Sequence, residues 1–414
     1  MLGEGQAWEP FAFSEVVNLK AKVMKYDFST VIPREDTSAI KFDKREALFG
    51  DPDVLPMWVA DMDFATPPFI LERLQKRLLH PILGYTLQDN DYNMAIAYWL
   101  KRRFGWEIKT SWLSYCPGIV AGLNHAVQAY TNPGDKVLIQ TPVYHPFFYA
   151  VKQNGRELIT NPLVLSGGKY TIDFDDFEAK LRTGVKLFVL CSPHNPIGRV
   201  WTKEELTHMA TLCLEHNTLI VSDEIHEDLV FNPHKHIPLA TLSPEIADIT
   251  ITFGSASKTF NIAGLATAWI AISNAQLLKR YNLQAERNGT WHGNIFGFEA
   301  TKAAYTPQGE DWLQQVLDYI KGNVIMVREF LSTNLPKIKL IEPEGTYLLW
   351  LDFRELGLTD EELKRILVEK AGIGFNAGSM FGVEGVGFQR MNVACPSSTV
   401  LTALEKMKQA FSNL

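Results

Sequence analysis

Five short apolar segments, at residues 136–140, 186–191, 218–222, 249–253 and 266–272, read as buried strands, and helix-like stretches lie between several of them. This alternation constrains the fold more than any other feature of the chain. It predicts an α/β architecture: a three-layer αβα large domain whose sheet is mainly parallel and covered by helices on both faces. One of the helical stretches, 202–216, has a strong start signal, with Thr202 followed by Glu204 and Glu205 in the first turn. Ligands of such sheets bind beyond the carboxyl ends of the strands, so the residues just after the apolar segments are the functional candidates.

The last part of the chain changes character. Residues 311–334 read as a long amphipathic helix, followed by strand-like 346–353, helical 360–370, strand-like 388–393 and helical 398–411. This pattern predicts a smaller α+β domain, against which the irregular, Pro-rich segment 26–73 is expected to pack. The resulting division is an N-terminal arm (1–25), a large domain (76–309) and a small domain built from 26–75 and 310–414. The arm carries Glu4, Glu9 and Glu15 and lacks a continuous apolar core, unlike a secretory signal or an Arg-rich transit peptide. No run of 18 apolar residues predicts a membrane helix. A net charge of −7 argues against a nucleic-acid partner, which favours a basic face. Cys116, Cys191, Cys213 and Cys395 are widely spaced, which speaks against structural disulfides or a zinc site and fits a reducing cytoplasm. The triplet His234-Lys235-His236 lacks further ligands nearby in sequence; it reads as a solvated loop, and no metal site is expected.

Several strand ends carry chemistry. Lys258 lies in Gly254-Ser255-Ala256-Ser257-Lys258-Thr259-Phe260, after the strand at 249–253. A lysine there is placed to be a Schiff-base amine beside a phosphate site, with Ser255 and Ser257 as hydroxyl donors. A solvated loop lysine is the competing reading for this residue alone. Asp223 ends another strand in Ser222-Asp223-Glu224-Ile225-His226, where a carboxylate can pair with a protonated pyridine nitrogen. The competing reading is a loop acid or helix cap. His226 suits contact with a phenolic oxygen, or equally a hydrogen-bonded core. Asn195, in Cys191-Ser192-Pro193-His194-Asn195-Pro196-Ile197-Gly198, can donate to the same oxygen. Tyr144 can stack on a pyridine ring. The amides of Pro117-Gly118-Ile119-Val120-Ala121-Gly122, Val120 and Ala121 among them, can cradle a phosphate at a helix start. Arg390, whose default role is a surface ion pair, suits bidentate binding of a substrate α-carboxylate. Each residue is weak evidence alone. As a set they supply an amine, a pyridinium partner, an oxygen donor, a stacking ring, a phosphate cradle and a carboxylate clamp.

With these segments in view, the chain resembles the fold-type I pyridoxal-phosphate enzymes of the aspartate aminotransferase superfamily, and within it the MalY/PatB-like cystathionine β-lyase branch. The resemblance extends from Tyr26 onward. It rests on Met57-Trp58-Val59-Ala60-Asp61-Met62-Asp63-Phe64, Gly84-Tyr85-Thr86, the Asn195 loop, Ser222 to His226, Ser255 to Asn261, Glu344-Gly345-Thr346-Tyr347 and Arg390-Met391-Asn392-Val393-Ala394-Cys395-Pro396. It implies the roles argued above for Lys258, Asp223, Asn195, Tyr144 and Arg390. It further implies that Val59, Ala60 and Asp61 line the substrate pocket, and that Tyr85 reaches the phosphate of the neighbouring subunit in a homodimer with shared sites. Two positions depart from relatives. Ala266 stands where many aminotransferases place a phosphate-clamping arginine, and Ser397 stands where relatives usually carry arginine, a change expected to be local.

The activity this implies is α,β-elimination on cystathionine or a related cysteine S-conjugate, giving a thiol, pyruvate and ammonia. Transamination uses the same residues and is the first alternative; a pyridoxal-phosphate-binding regulatory or interaction protein is the second. The sequence contains no Gly-x-Ser-x-Gly, Gly-x-Gly-x-x-Gly or His-Glu-x-x-His.

Overall fold

The computed structural model describes residues 25–412. The N-terminal arm read over 1–25 therefore lies, apart from Lys25, outside the described residues. The five expected strands are present at Lys136–Thr141 (β2), Leu187–Cys191 (β4), Leu219–Asp223 (β5), Thr250–Gly254 (β6) and Ala268–Ala271 (β7). Two more join them, Leu113–Cys116 (β1) and Glu157–Pro162 (β3), giving a seven-stranded sheet in the order β1-β7-β6-β5-β4-β2-β3. The run from β6 to β3 is parallel throughout. Strand β7 is antiparallel to both neighbours, because the chain from Ser255 to Thr267 holds only the four-residue helix Ala256–Thr259 and the turn Ala263–Leu265 instead of a crossover helix.

Strands β4 and β6 are buried along their whole length and β5 at all but its first residue, as near-continuous apolar runs between two helical layers should be. Separate apolar clusters fill the two sides of the sheet: Val137, Ile139, Val189, Val221 and Ile251 face one way, and Leu138, Phe188, Leu190 and Ile220 the other. Alternation along each strand fixes this partition. The helix Ile119–Tyr130 (α1) packs on the first side, and Lys203–Glu215 (α2) on the second. The start signal of α2 is a full capping box, with Thr202 and Glu205 each accepting from the other's backbone amide.

The C-terminal part forms a second, antiparallel sheet of Lys339–Ile341 (β8), Leu348–Asp352 (β9), Asn376–Ala377 (β10) and Phe388–Asn392 (β11), in the order β8-β9-β11-β10. The long helix runs Pro307–Asn334 (α3), earlier than the periodicity suggests, because Thr306 caps it and Pro307 occupies its first turn. The helix expected at 360–370 is α-helical over Asp360–Arg365 and continues as a π-helical turn over Ile366–Lys370. Ser397 opens the last helix, Ser397–Phe411 (α4): its amide donates to Tyr319 Oη and its hydroxyl to Asn323 Oδ1. The segment before residue 64 is fastened to this region through backbone pairing of Leu55 with Ile373 and Pro56 with Gly374, and through Asn392 N to Met57 O (2.9 Å) and Asp63 N to Ala394 O (2.8 Å).

Gly254 ends β6 directly beneath the lysine segment. A Cβ there would lie 2.1 Å from the indole of Trp269, which is fully buried. Glycine is thus required for close approach of β6 to β7. Gly254→Ala is expected to lower stability by about 1–3 kcal/mol, the usual cost of overpacking a rigid core. Denaturant unfolding of the variant at unchanged midpoint would contradict this.

Candidate active site

The strands β1, β2, β4, β5 and β6 all deliver their carboxyl ends to the same edge of the sheet, and a cavity of about 250 Å³ opens there. It is lined by Pro117 to Ala121 after β1, Tyr144 after β2, Cys191 and Asn195 at and after β4, Asp223 and His226 at and after β5, and Ser257 and Lys258 after β6, with Ala60 across from them. Residues far apart in sequence therefore meet because parallel strands end together.

Lys258 is partly buried, and its Nζ donates to the Ala60 carbonyl at 2.8 Å. Burial lowers its pKa to about 8, so a useful fraction of the amine is unprotonated near neutrality. The same carbonyl accepts from Tyr347 Oη at 3.0 Å. Asp223 is buried, and one carboxylate oxygen accepts from the Ile225 amide at 3.2 Å. Among the described residues it forms no ion pair, and burial pushes its pKa up to about 7. His226 is buried and held neutral, its pKa lowered to about 3 by burial, with Lys258 and Arg390 adding to the effect. Its Nδ1 has no partner among the described residues.

Arg390 sits on β11 of the second sheet, 3% exposed, and points back at the first. Its Nη1 donates to Asn195 Oδ1 at 3.1 Å, and its Nη2 to the Trp58 carbonyl at 2.8 Å and to Asn376 Oδ1 at 2.6 Å. All three acceptors are neutral, and among the described residues no carboxylate pairs with Arg390. Burial accordingly lowers its pKa, to about 10. Because Arg390 engages the oxygen of the Asn195 amide, the amide nitrogen remains as that side chain's donor.

The phosphate-cradle reading falls on the start of α1. Gly118 is its N-cap with φ +143°, a conformation open to glycine and strained for other residues, and Pro117 to Ala121 line the cavity. Ser257 lines the cavity too. Ser255 is committed elsewhere: its hydroxyl donates to the Thr267 carbonyl at 2.8 Å and accepts from the Ser257 amide at 3.0 Å, capping the short helix that carries Lys258. Val59 and Asp61 present their carbonyls to Asn392 Nδ2, at 2.6 Å each. The Asp61 carboxylate is bound by Arg34 (2.7 Å) and lies 3.6 Å from Lys41 Nζ. Tyr85 lies away from this cavity; it is 95% exposed and packs on His292 at 5.2 Å. Of the triplet 234–236, His234 and Lys235 are exposed as the solvated-loop reading expects, but His236 is buried.

Asn376, Asn392, Tyr347 and Asn261 were not among the sequence candidates. Asn261 follows the lysine motif and clasps the 62–64 segment through Met62 N (3.0 Å), Met62 O (3.0 Å) and Phe64 O (2.8 Å). A signal existed only for Asn261, Tyr347 and Asn392, which belong to the quoted motifs. Asn376 sits in a two-residue strand without one.

The donor set fits a phosphorylated pyridine aldehyde. It offers a partly desolvated primary amine, a buried acid with no cationic side-chain partner, an amide donor, a tyrosine ring and open amides at a helix start. The comparisons agree. The sequence matches the family described as aminotransferase class I and II over residues 52–407. The cystathionine β-lyase PatB of Bacillus subtilis is 44% identical over 380 residues, spanning 92% of this chain and 98% of that protein. The protein MalY of Escherichia coli is 34% identical over 377 residues, spanning 90% and 95%. Cystalysin from Treponema denticola, a structure that contains pyridoxal 5′-phosphate, superposes with a TM-score of 0.92 at 37% identity, covering 94% of this chain and 100% of that one. The pyridoxal-phosphate-bound C–S lyase from Staphylococcus hominis gives 0.88 at 36% identity, covering 94% and 98%.

With Asp223 raised to about 7, the folded cofactor-free chain keeps a proton that the unfolded chain has lost above about pH 4. The stability tied to that neutral carboxyl is present below pH 4 and is lost as the pH rises through 7. In cofactor-free protein, Asp223→Asn should therefore exceed wild type in stability by about 2–4 kcal/mol at pH 8, with the gain vanishing near pH 4. Thermal unfolding across that range, showing equal shifts at both ends, would refute the assignment.

Proposed function

The chain belongs to the aminotransferase class I and II family, and on that premise we propose that it is a pyridoxal 5′-phosphate-dependent carbon–sulfur β-lyase. It acts on cystathionine or a related cysteine S-conjugate. The observation that carries the reading is the meeting of Lys258, Asp223, Asn195 and Tyr144 around one cavity. The preference for elimination over amino transfer rests on the 44% identity to a cystathionine β-lyase across almost the full length of both chains.

Lys258, Asp223, Asn195, His226, Tyr144, Ser257 and the amides of Val120 and Ala121 would hold the cofactor, with Ser255 fixing the turn that presents Ser257 and Lys258. Once bound, the cofactor supplies an electron sink for negative charge at the substrate Cα. Asp223 keeps the pyridine nitrogen protonated, a role for which its buried position, with no ion-pair partner among the described residues, is suited. Arg390, bonded to the cavity residue Asn195, receives the substrate carboxylate, and its neutral hydrogen-bond partners hold the guanidinium in place without cancelling its charge. Lys258, with its lowered pKa, removes the Cα proton and delivers a proton to the departing sulfur. The Cβ–S bond breaks, the thiol leaves, and the released enamine takes up water to give pyruvate and ammonia. Val59 to Asp61 form the wall facing the substrate, fixed by Asn392 and Tyr347.

The functional unit in this proposal is a homodimer. Leu79, Ile82, Leu83, Tyr85 and Leu87 form an exposed apolar run, and Trp291 is exposed as well, a surface that a second copy of the chain would cover. Tyr85 of the partner subunit then completes the phosphate site, which compensates for Ala266. All four cysteines are free and buried, in keeping with a cytoplasmic location, and no helix among the described residues is long and apolar enough to cross a membrane.

Four measurements test these statements. With cystathionine and no keto acid, the enzyme should release thiol, pyruvate and ammonia in equal amounts; strict dependence on an added keto acid would make it an aminotransferase. A visible absorbance band lost in Lys258→Ala, with no turnover by wild type, would indicate a regulatory binding protein. Arg390→Lys should lower kcat/KM by roughly 10- to 100-fold, since a point charge replaces a bidentate fork. Finally, Lys258→Ala and Tyr85→Ala proteins, each inactive alone, should regain up to about a quarter of wild-type activity when mixed and reassembled, because half of the dimers are then mixed and each carries one intact site. No recovery under subunit exchange would overturn the shared site.

A further inference from the structure

Outside the cavity that contains Lys258, three ionisable side chains meet in the interior: Glu224, Glu227 and His236, which are 0%, 2% and 7% exposed. One ligand atom from each lies within 4.8 Å of those from the other two. His236 Nε2 is 2.8 Å from Glu224 Oε2. The other Glu224 oxygen accepts from Ser222 Oγ at 2.7 Å and from the Leu239 amide at 3.1 Å, which fixes the carboxylate's orientation. Glu227 differs from both. Neither of its carboxylate oxygens has a hydrogen-bond partner among the described residues, although the side chain is enclosed. A buried carboxylate left without partners is strongly unfavourable, and natural interiors avoid one unless it serves a purpose.

We propose that Glu224, Glu227 and His236 form a binding site for one divalent first-row transition ion of the zinc type. Two carboxylates balance the charge of a divalent ion, so the occupied interior is neutral. The imidazole selects zinc-like ions over magnesium and calcium, which prefer all-oxygen shells. Ser222 and the Leu239 amide orient Glu224 from behind, as outer partners do for metal ligands. A cavity of about 480 Å³, bordered by Glu227 and His236 and by Arg103, His234 and Asp318, offers room for water in the remaining coordination position. The ion would tie the end of β5, which carries Asp223, to the 234–239 loop. The site is distinct from the residues that line the catalytic cavity.

The test uses untagged, cofactor-loaded protein. Wild type is equilibrated with zinc chloride, dialysed against zinc-free buffer without chelator, and assayed for metal. About one zinc ion per chain should remain, and Tm should rise by roughly 3 °C at a hundredfold excess of zinc over Kd. Glu227→Gln, nearly the same shape, should retain no zinc and lose the zinc-dependent rise. His236→Gln provides a second variant, and the cofactor absorbance confirms folding of each. Wild type that keeps no zinc, or a folded Glu227→Gln protein that keeps as much as wild type, overturns the proposal.

Discussion

Lys258 and Asp223, which line the cavity, and Arg390, which is bonded to the cavity residue Asn195, are held by neutral hydrogen bonds and not by one another. Lys258 rests on a main-chain carbonyl, Asp223 on a main-chain amide, and Arg390 on two side-chain amides and a carbonyl. Burying charge in this way is costly, and it shows in the displaced pKa values of all three. Had the three been paired as salt bridges, each would be neutralised and unavailable to a ligand. The rest of the molecule is arranged to keep them close and unpaired.

Two sheets contribute to that arrangement. The parallel sheet brings five strand ends to one edge. The antiparallel sheet carries Arg390 and Asn392 on β11 and Asn376 on β10 to the opposite wall. Between them runs the 57–64 segment, which has little regular structure of its own. Its position comes from side chains reaching in from both sides: Asn392 of one sheet and Tyr347 just before its strand β9, and Asn261 from the loop after the other. Arg34 and Lys41 hold its two acids, Asp61 and Asp63, on the outer side. Irregular backbone can line a site with precision when its polar groups are satisfied in this manner.

Much of this architecture is legible in the sequence, for identifiable reasons. Strands buried on both faces leave unbroken apolar runs, so β2, β4, β5 and β6 stand out. The edge strand β3 does not, because only one neighbour pairs with it and half-exposed Leu158, Ile159 and Thr160 dilute the pattern. The antiparallel direction of β7 depends on the lack of a crossover helix, which hydrophobic periodicity cannot report. Residues that follow strand ends, such as Lys258, Asp223 and Asn195, are marked by local motifs. Asn376 acts through a contact with Arg390 that no local pattern encodes. His236 shows the same limit: its carboxylate neighbours lie 12 and 9 positions earlier in the chain, and only folding of the intervening loop brings them together.

The way Arg390 is seated bears on how the enzyme chooses among amino acids. Its three acceptors leave the guanidinium preset before any ligand arrives; in the proposed role as carboxylate clamp, recognition would cost little reorganisation and be common to every α-amino acid. On that proposal, discrimination among sulfur conjugates would arise at the leaving-group end of the substrate. A chain built in this manner is permissive at the head of its substrate, and its selectivity can drift by exchange of wall residues alone while the reactive centre stays intact.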